Sequence, residues 1–455
     1  MSLTQFITQL GAAGSGGSAG WIGSYELASG NMNLNEDFSG VCCTVSGSDI
    51  HAAFHSSTNA RVYITKLDPD NGDVLINKSI RNATQNVTGF GRMSSANYSD
   101  WFMVADSIYT SNAGYTAYFF DAATYTQQAA RQYSGYSNKG FVYAIHRSAS
   151  SGYTHLIGND NDYACAFVTG TTGGQSDRDN FGNNVGNGGG SGQSDTAFDG
   201  TYVYINLRDD VSDSQRKRQN IWRIQSSSNP TIGDGLNLLP TATSSISLPA
   251  IEVDGSNVYV AGGDNNNFII YKVAANWATP SSSTITWAKS YATVSGSGNS
   301  VGRTTTMVKS TDGSYLYYVT GSYSGFTYQI GIWKVDASNG DLLGYKIIKD
   351  PNSVDRLFPV QAFVLDDGSL VVSGNRKDYT TSNPYGVVVK MDFDNVADGT
   401  YGEFEIASRT IPTATTPSRL TGNQNGSDTD SQTPSTAAIS TGITTDTITP
   451  TVESF

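Results

Sequence analysis

The sequence predicts an all-β fold made of seven like units, and two recurring phrases carry that prediction. The first is a Gly-containing turn running into a Val/Tyr-rich strand. It reads Asp199-Gly200-Thr201-Tyr202-Val203-Tyr204, Asp254-Gly255-Ser256-Asn257-Val258-Tyr259, Asp312-Gly313-Ser314-Tyr315-Leu316-Tyr317 and Asp367-Gly368-Ser369-Leu370-Val371-Val372. Its glycines are spaced by 55, 58 and 55 residues. The second is a strand with Lys or Arg between apolar residues, often followed by Asp: Thr65-Lys66-Leu67-Asp68, Trp222-Arg223-Ile224, Tyr271-Lys272-Val273, Trp333-Lys334-Val335-Asp336 and Val389-Lys390-Met391-Asp392. A degenerate copy is Tyr118-Phe119-Phe120-Asp121. Lys66 and Lys390 lie 324 residues apart, six intervals of about 54, hence seven units. The weakest falls between Phe141 and Phe181, with Ala164-Cys165-Ala166-Phe167-Val168 as its equivalent strand.

Each unit has room for four strands. In the sixth they are expected near 303–309, 315–320, 329–336 and 343–349, joined by Asp-Gly, Ser-Gly and Asn-Gly turns. Such dipeptides supply the positive φ that tight hairpins need. Short strands rich in Val, Ile, Tyr and Trp suit a pleated, half-buried surface. One such unit cannot bury both of its faces, so the units must close into a ring. The expectation is a seven-bladed β-propeller over 40–409, each blade a four-stranded antiparallel sheet. Residues 21–39 form an arm or a ring-closing strand. Trp21-Ile22-Gly23-Ser24-Tyr25 resembles Trp287-Ala288-Lys289-Ser290-Tyr291 of the fifth unit, so residues 20–28 either pair with the last blade near 402–409 or form a partial unit or docking arm.

The flanks differ in composition. Leu3, Phe6, Ile7 and Leu10 stand at helical spacing, followed by a Gly/Ala/Ser linker up to residue 20. A helix that short does not persist alone in water, so these residues are either an attachment segment or a frayed end. From 410 to 455 the chain is rich in Thr, Ser and Pro, with no aromatic before Phe455. Composition reads it as a low-complexity tail, extended or disordered unless a partner orders it.

Charged residues make up 15% of the chain, and 27 basic against 40 acidic side chains give −13. Nucleic-acid binding rests on cations against phosphate, so it is not expected. Cys42 and Cys43 are adjacent and Cys165 is remote, which makes no disulfide framework. No apolar stretch approaches a membrane span, and no export signal is visible at the N-terminus. A Gly/Ser/Thr/Asn/Tyr palette typical of extracellular β-proteins without an export signal fits a virion protein released by lysis; secretion is the alternative.

Reactive groups are sparse. His51, His55, His146 and His155 show no metal-ligand spacing, and no nucleophile elbow, zinc helix or phosphate loop is present, so a non-enzymatic chain is expected. Asp68, Asp70 and Asp73 around Gly72 are a weak Ca²⁺ candidate, because alternate carboxylates can wrap that ion, but the same letters make a plain hairpin turn. Tyr133, Tyr136, Tyr323, Phe326, Tyr379 and Tyr385 fall in or beside predicted loops among Asn and Ser. Aromatics so placed either pack or stack on sugar rings.

The phrases Val62-Tyr63-Ile64-Thr65-Lys66-Leu67-Asp68-Pro69-Asp70-Asn71-Gly72 and Gly331-Ile332-Trp333-Lys334-Val335-Asp336-Ala337-Ser338-Asn339-Gly340 resemble the bacterial β-propeller repeat of the SBBP type, which implies the fold and brings no catalytic residues. Phe6-Ile7-Thr8-Gln9-Leu10-Gly11-Ala12-Ala13-Gly14 resembles the start of marine tailed-bacteriophage structural proteins. That resemblance implies a tail or capsid appendage present in several copies, with other virion proteins and host-surface glycans as partners. The alternative is a secreted carbohydrate-binding or polysaccharide-degrading propeller.

Overall fold

The computed structural model describes residues 19–27, 40–56, 61–82, 87–96, 101–108, 114–134, 142–147, 154–160, 163–169, 175–183, 194–209, 218–225, 235–240, 246–264, 267–275, 285–292, 305–324, 327–352, 354–377, 384–417, 419–424, 435–438, 441–444 and 448–455. Among them are strands and turns and no helix. The strands form seven antiparallel sheets: blade 1 spans 40–82, blade 2 87–134, blade 3 142–183, blade 4 194–240, blade 5 246–292, blade 6 305–349 and blade 7 356–391. Each blade runs from strand A at the centre to strand D outside. The A strands of successive blades touch in turn, and that of blade 7 touches that of blade 1. The ring is a closed β-propeller. Tyr163–Thr169 and Gly114–Asp121 hold the strand C place in the two blurred repeats.

Strand D of blade 7 comes from the other end of the chain. Gly20–Leu27 pairs Trp21 with Lys390 and Tyr25 with Gly386. Its partner is therefore 384–391, and the pairing with 402–409 is corrected. Asp392 shows why. In blades 1, 2 and 6 the Asp that ends strand C donates its N–H to the carbonyl five residues on: Asp68 to Asp73, Asp121 to Thr126, Asp336 to Asp341. The Asp392 N–H donates instead to Ala19 O at 2.7 Å, so the N-terminal strand enters where a chain-contiguous strand D would begin. Residues 399–408 are free to form a hairpin, which docks through Phe404–Ser408 on the outer edge of blade 6.

From there the tail becomes a belt. Ala414–Thr415 adds to the edge of blade 5, Arg419–Gln424 to blade 4, Ser435–Ala438 to blade 2, Thr441–Thr444 to blade 1 and Ile448–Ser454 to blade 7. Among the described residues blade 3 alone has four strands. Strand twist of about 20–25° per step turns the outermost strands toward the circumference. Short links therefore suffice to carry the chain from one blade edge to the next. The expectation that only a partner orders the tail is corrected for its described segments, which are ordered by this chain's own blade edges. Each blade edge offers unpaired amides and carbonyls that need no apolar side chain to be satisfied.

The two sequence phrases are the glue. In the first, Asp254 Oδ1 caps the Asn257 amide at 3.1 Å and Oδ2 accepts the Tyr259 hydroxyl at 2.7 Å; Asp199 does the same for Tyr202 N and the Tyr204 hydroxyl. In the second, the strand C cation lies over a strand B tyrosine and reaches the next blade. Arg223 sits 4.5 Å from the Tyr202 ring and donates to Ala275 O, Lys272 donates to Ala337 O, and Lys334 sits 4.0 Å from the Tyr315 ring and binds Asp394 at 2.6 Å. The Trp21/Tyr25 and Trp287/Tyr291 likeness marks the same job. Trp21 Nε1 donates to Pro69 O and the Tyr25 hydroxyl to Gly72 O, and the Tyr291 hydroxyl donates to Gly340 O, each in the following blade.

Candidate recognition face

Antiparallel blades sort their connections. The A–B and C–D turns lie on one side of the ring, the B–C and D–A connections on the other. The first side carries the Asp turns just described and receives the N-terminal strand, since Gly20 pairs with Met391 at the end of strand C. The topology places three of the six candidate aromatics, Tyr133, Tyr323 and Tyr385, toward the second side. Tyr133 is next to last in Gln127–Ser134, Tyr323 is next to last in Tyr315–Ser324, and Tyr385 is second in Pro384–Met391. The side chains of Tyr133 and Tyr323 are outside the description, and Tyr136, Phe326 and Tyr379 lie outside the described residues. So do Leu3, Phe6, Ile7 and Leu10.

The described part of this second side is at the junction of blades 6 and 7. Arg376, near the end of strand B, is 8% exposed. Its Nε and Nη2 donate to Asp355 Oδ2 at 2.8 and 2.6 Å, and Nη1 binds the Glu403 carboxylate. Burial pulls the guanidinium down, but the Glu403 and Asp355 charges outweigh it and hold it above its ordinary value. Tyr385 and Phe404 lie 5.7 and 5.4 Å from that guanidinium. Beside it Arg356 sits 4.4 Å from the Tyr328 ring, itself 5.0 Å from Phe358. Asp350 accepts the Val354 and Asp355 amides and so shapes the loop that positions Asp355. Half-buried rings flanked by guanidinium and carboxylate groups can stack on the apolar face of a sugar and hydrogen-bond its hydroxyls. Tyr385 is among the aromatics the sequence singles out, whereas Tyr328, Arg356 and Arg376 are not, because they meet only through the sheet register.

Other candidates are placed as follows. Asp68 Oδ1 accepts the Asp70 amide at 2.8 Å, and Asp73 Oδ2 accepts from Asn71 Nδ2 at 3.0 Å, so these carboxylates tie the C–D turn of blade 1. Among the described residues no group of three or more His, Cys, Asp or Glu is gathered as for a metal. Cys42 and Cys43 are buried thiols. His51 is buried, with Nε2 2.8 Å from Asp49 Oδ2 and Nδ1 2.7 Å from the Tyr125 hydroxyl of blade 2. His146 and His155 are cross-strand partners in blade 3, a pairing that register alone reveals. Nearer the centre, Asp195 Oδ2 accepts the Ile251 and Met307 amides at 3.2 and 3.1 Å, bridging three A strands. Desolvation pushes the neighbouring Glu252 carboxyl up to about 7 against the Val253 amide and Lys309, which lower it. No sequence motif marks either acid.

No protein-family model matches the chain, and no curated protein matches it. Solved structures do. The C-terminal WD40 domain of Sif2 is 10% identical, with a TM-score of 0.45, covering 81% of this chain and 98% of that one. A candidate 6-phosphogluconolactonase from Bacteroides uniformis is 11% identical, with a TM-score of 0.43, over 81% and 95% of the two chains. The dihydro-heme d1 dehydrogenase NirN is 11% identical, with a TM-score of 0.41, over 84% and 75%. At such identity the likeness is one of fold. The expectation of a non-enzymatic chain is corrected to this extent: proteins named for enzymes stand among these neighbours, and the likeness assigns this chain neither an activity nor the lack of one. A propeller site is assembled from residues distant in sequence, so the lack of a local motif excludes no chemistry.

Proposed function

We propose that the chain is a ring-shaped binding module held on a larger assembly by its N-terminal segment, with its B–C and D–A connections turned toward a glycan-bearing surface. In the fuller reading the assembly is a phage virion, the module a tail or capsid appendage, and the surface that of the host. The observation that carries this is polarity. Ala19, to which residues 1–18 are joined, lies on the A–B/C–D side, whereas Tyr133, Tyr323 and the Arg376/Tyr385 cluster belong to the other. A tether on one face leaves the opposite face free to meet a ligand, and rigid scaffolds are where recognition loops are held. Individually weak contacts multiplied over many copies give avidity of about 10²–10⁴.

The test couples the full chain to beads through its N-terminus and offers extracted host-envelope polysaccharide. Retention is expected, and Tyr323→Ala with Phe326→Ala should reduce it at unchanged Tm. Retention equal to wild type removes these loops as the receptor site, and a lowered Tm shows that they were packing. Mass spectrometry of purified particles tests the virion assignment, which falls if the chain is absent.

A further inference from the structure

We propose that the end of the belt is a latch on the ring, and that the propeller is locked only once Phe455 has seated. The strand that closes blade 7 is not an edge. On one side Gly20–Tyr25 pairs with 386–391, and on the other Trp21–Leu27 pairs with Ile448–Ser454. A closing strand at an edge can peel away one hydrogen bond at a time. One held on both sides cannot leave until the outer strand has gone. Beyond Ser454 the chain ends in a seat. The Phe455 N–H donates to Gly20 O at 3.0 Å, and its ring lies 4.9 Å from Tyr401. A Cβ at Gly20 would fall 2.0 Å from Lys390 O and 2.8 Å from Phe455 Cε2, so the glycine admits both the close approach to blade 7 and the ring. Glu453 lies against Gly402 in the same hairpin.

Tyr401 and Gly402 belong to the hairpin from which the belt departs. The belt thus returns to the hairpin it left, and Phe455, the lone aromatic of residues 410–455, is the residue that rests on it. Both partners of Gly20–Leu27 lie more than 350 residues away in sequence, so blade 7 cannot close before 386–391 and 448–454 are both in place. The latch makes the 448–455 segment a condition of closure, whatever the ring binds.

Amide hydrogen exchange tests this on three proteins: the full chain, a chain ending at Thr447, and Phe455→Ala. Truncation should speed exchange across Trp21–Leu27 by roughly fivefold for each net hydrogen bond lost, while Asn257–Asp264 of blade 5 stays protected. A synthetic peptide of residues 448–455 added to the truncated chain should restore protection. Phe455→Ala should show the same local loss in milder form, and it decides the matter if the truncated chain does not fold. Exchange at Trp21–Leu27 equal to that of the full chain in Phe455→Ala, or in a folded truncated chain, overturns the latch.

Discussion

Tyr125→Phe is expected to destabilise the propeller by about 1–3 kcal/mol, the cost of taking a hydrogen-bond partner from a buried polar group. Tyr125 is 1% exposed and His51 fully buried, and the hydroxyl lies 2.7 Å from His51 Nδ1. Burial pushes the phenol well above its usual range, so it stays a donor. Phe keeps the ring, so packing does not change and only the donor to Nδ1 is lost. Tyr125→Gly separates the other terms. Tyr125 has φ +55°, the one positive value at a non-Gly residue among those described, where the equivalent turns have Gly72 and Gly340. Glycine relieves about 1–2 kcal/mol of left-handed strain but empties an aromatic site at about 3–5 kcal/mol, so it should be the weaker protein of the two. Urea unfolding with unchanged m reads both. The network also predicts an acid limb. Burial raises the Asp49 carboxyl, but the hydrogen bonds from His51 and from the Ser46 and Val45 amides outweigh it and hold it well below the usual range. A depressed carboxyl contributes fully above its unfolded value of about 3.9 and loses that contribution as pH falls toward the folded one. Asp49→Asn should flatten stability against pH below about 4. A Tyr125→Phe change within about 0.5 kcal/mol, or an acid limb that survives Asp49→Asn, would refute the reasoning.

Two comparisons extend this to the blade interfaces. Trp21 Nε1 donates to Pro69 O at 3.0 Å, whereas the buried Trp287 Nε1 has no hydrogen-bond partner among the described residues. Trp21→Phe should therefore cost about 1–3 kcal/mol more than Trp287→Phe in thermal unfolding; equal losses would contradict the assignment. Lys334→Met keeps the stem but removes the charge over Tyr315 and beside the exposed Asp394, and should cost about 1 kcal/mol, less at high salt.

What the sequence discloses is local, and what it conceals is pairing. The Asp-Gly-Ser phrase and the strand C cation are legible because each blade needs the same turn cap and the same bridge to its neighbour. The belt is not, because Ser435–Ala438 and Thr441–Thr444 are fixed by main-chain hydrogen bonds to edges formed hundreds of residues earlier. Strand addition of that kind leaves almost no side-chain signature. The Arg376 cluster is hidden for a related reason: Asp355, Tyr385 and Glu403 reach it from three separate segments. Gly20–Leu27 was half legible, since the Trp and Tyr of a strand D stand out but the partner strand does not.

The blade interfaces follow a rule of exchange that also explains why the repeats diverge. Registers place Trp21, Trp287, Ile76 and Gly344 at one equivalent strand D position, opposite Lys390, Lys272, Lys66 and Lys334. Where that residue is Trp, the facing turn has glycine: a Cβ on Gly72 would lie 2.8 Å from Trp21, and one on Gly340 2.6 Å from Trp287. Where strand D offers Ile76 or Gly344, the turn of the next blade supplies the ring, as Tyr125 or Phe393, and Phe393 stands 2.6 Å from where a Gly344 Cβ would be. The interface keeps its aromatic volume and changes which blade provides it. Two tryptophan strands would collide with two aromatic turns, and two small residues would leave a void, so neighbouring blades are matched pairs and cannot be reordered freely. A ring with ordered blades can in turn be wrapped by a belt with ordered strands, because each tail segment meets only one edge in sequence. The blurred turn of blade 2, with Tyr125 where its equivalents have glycine, is thus a specific joint to blade 1.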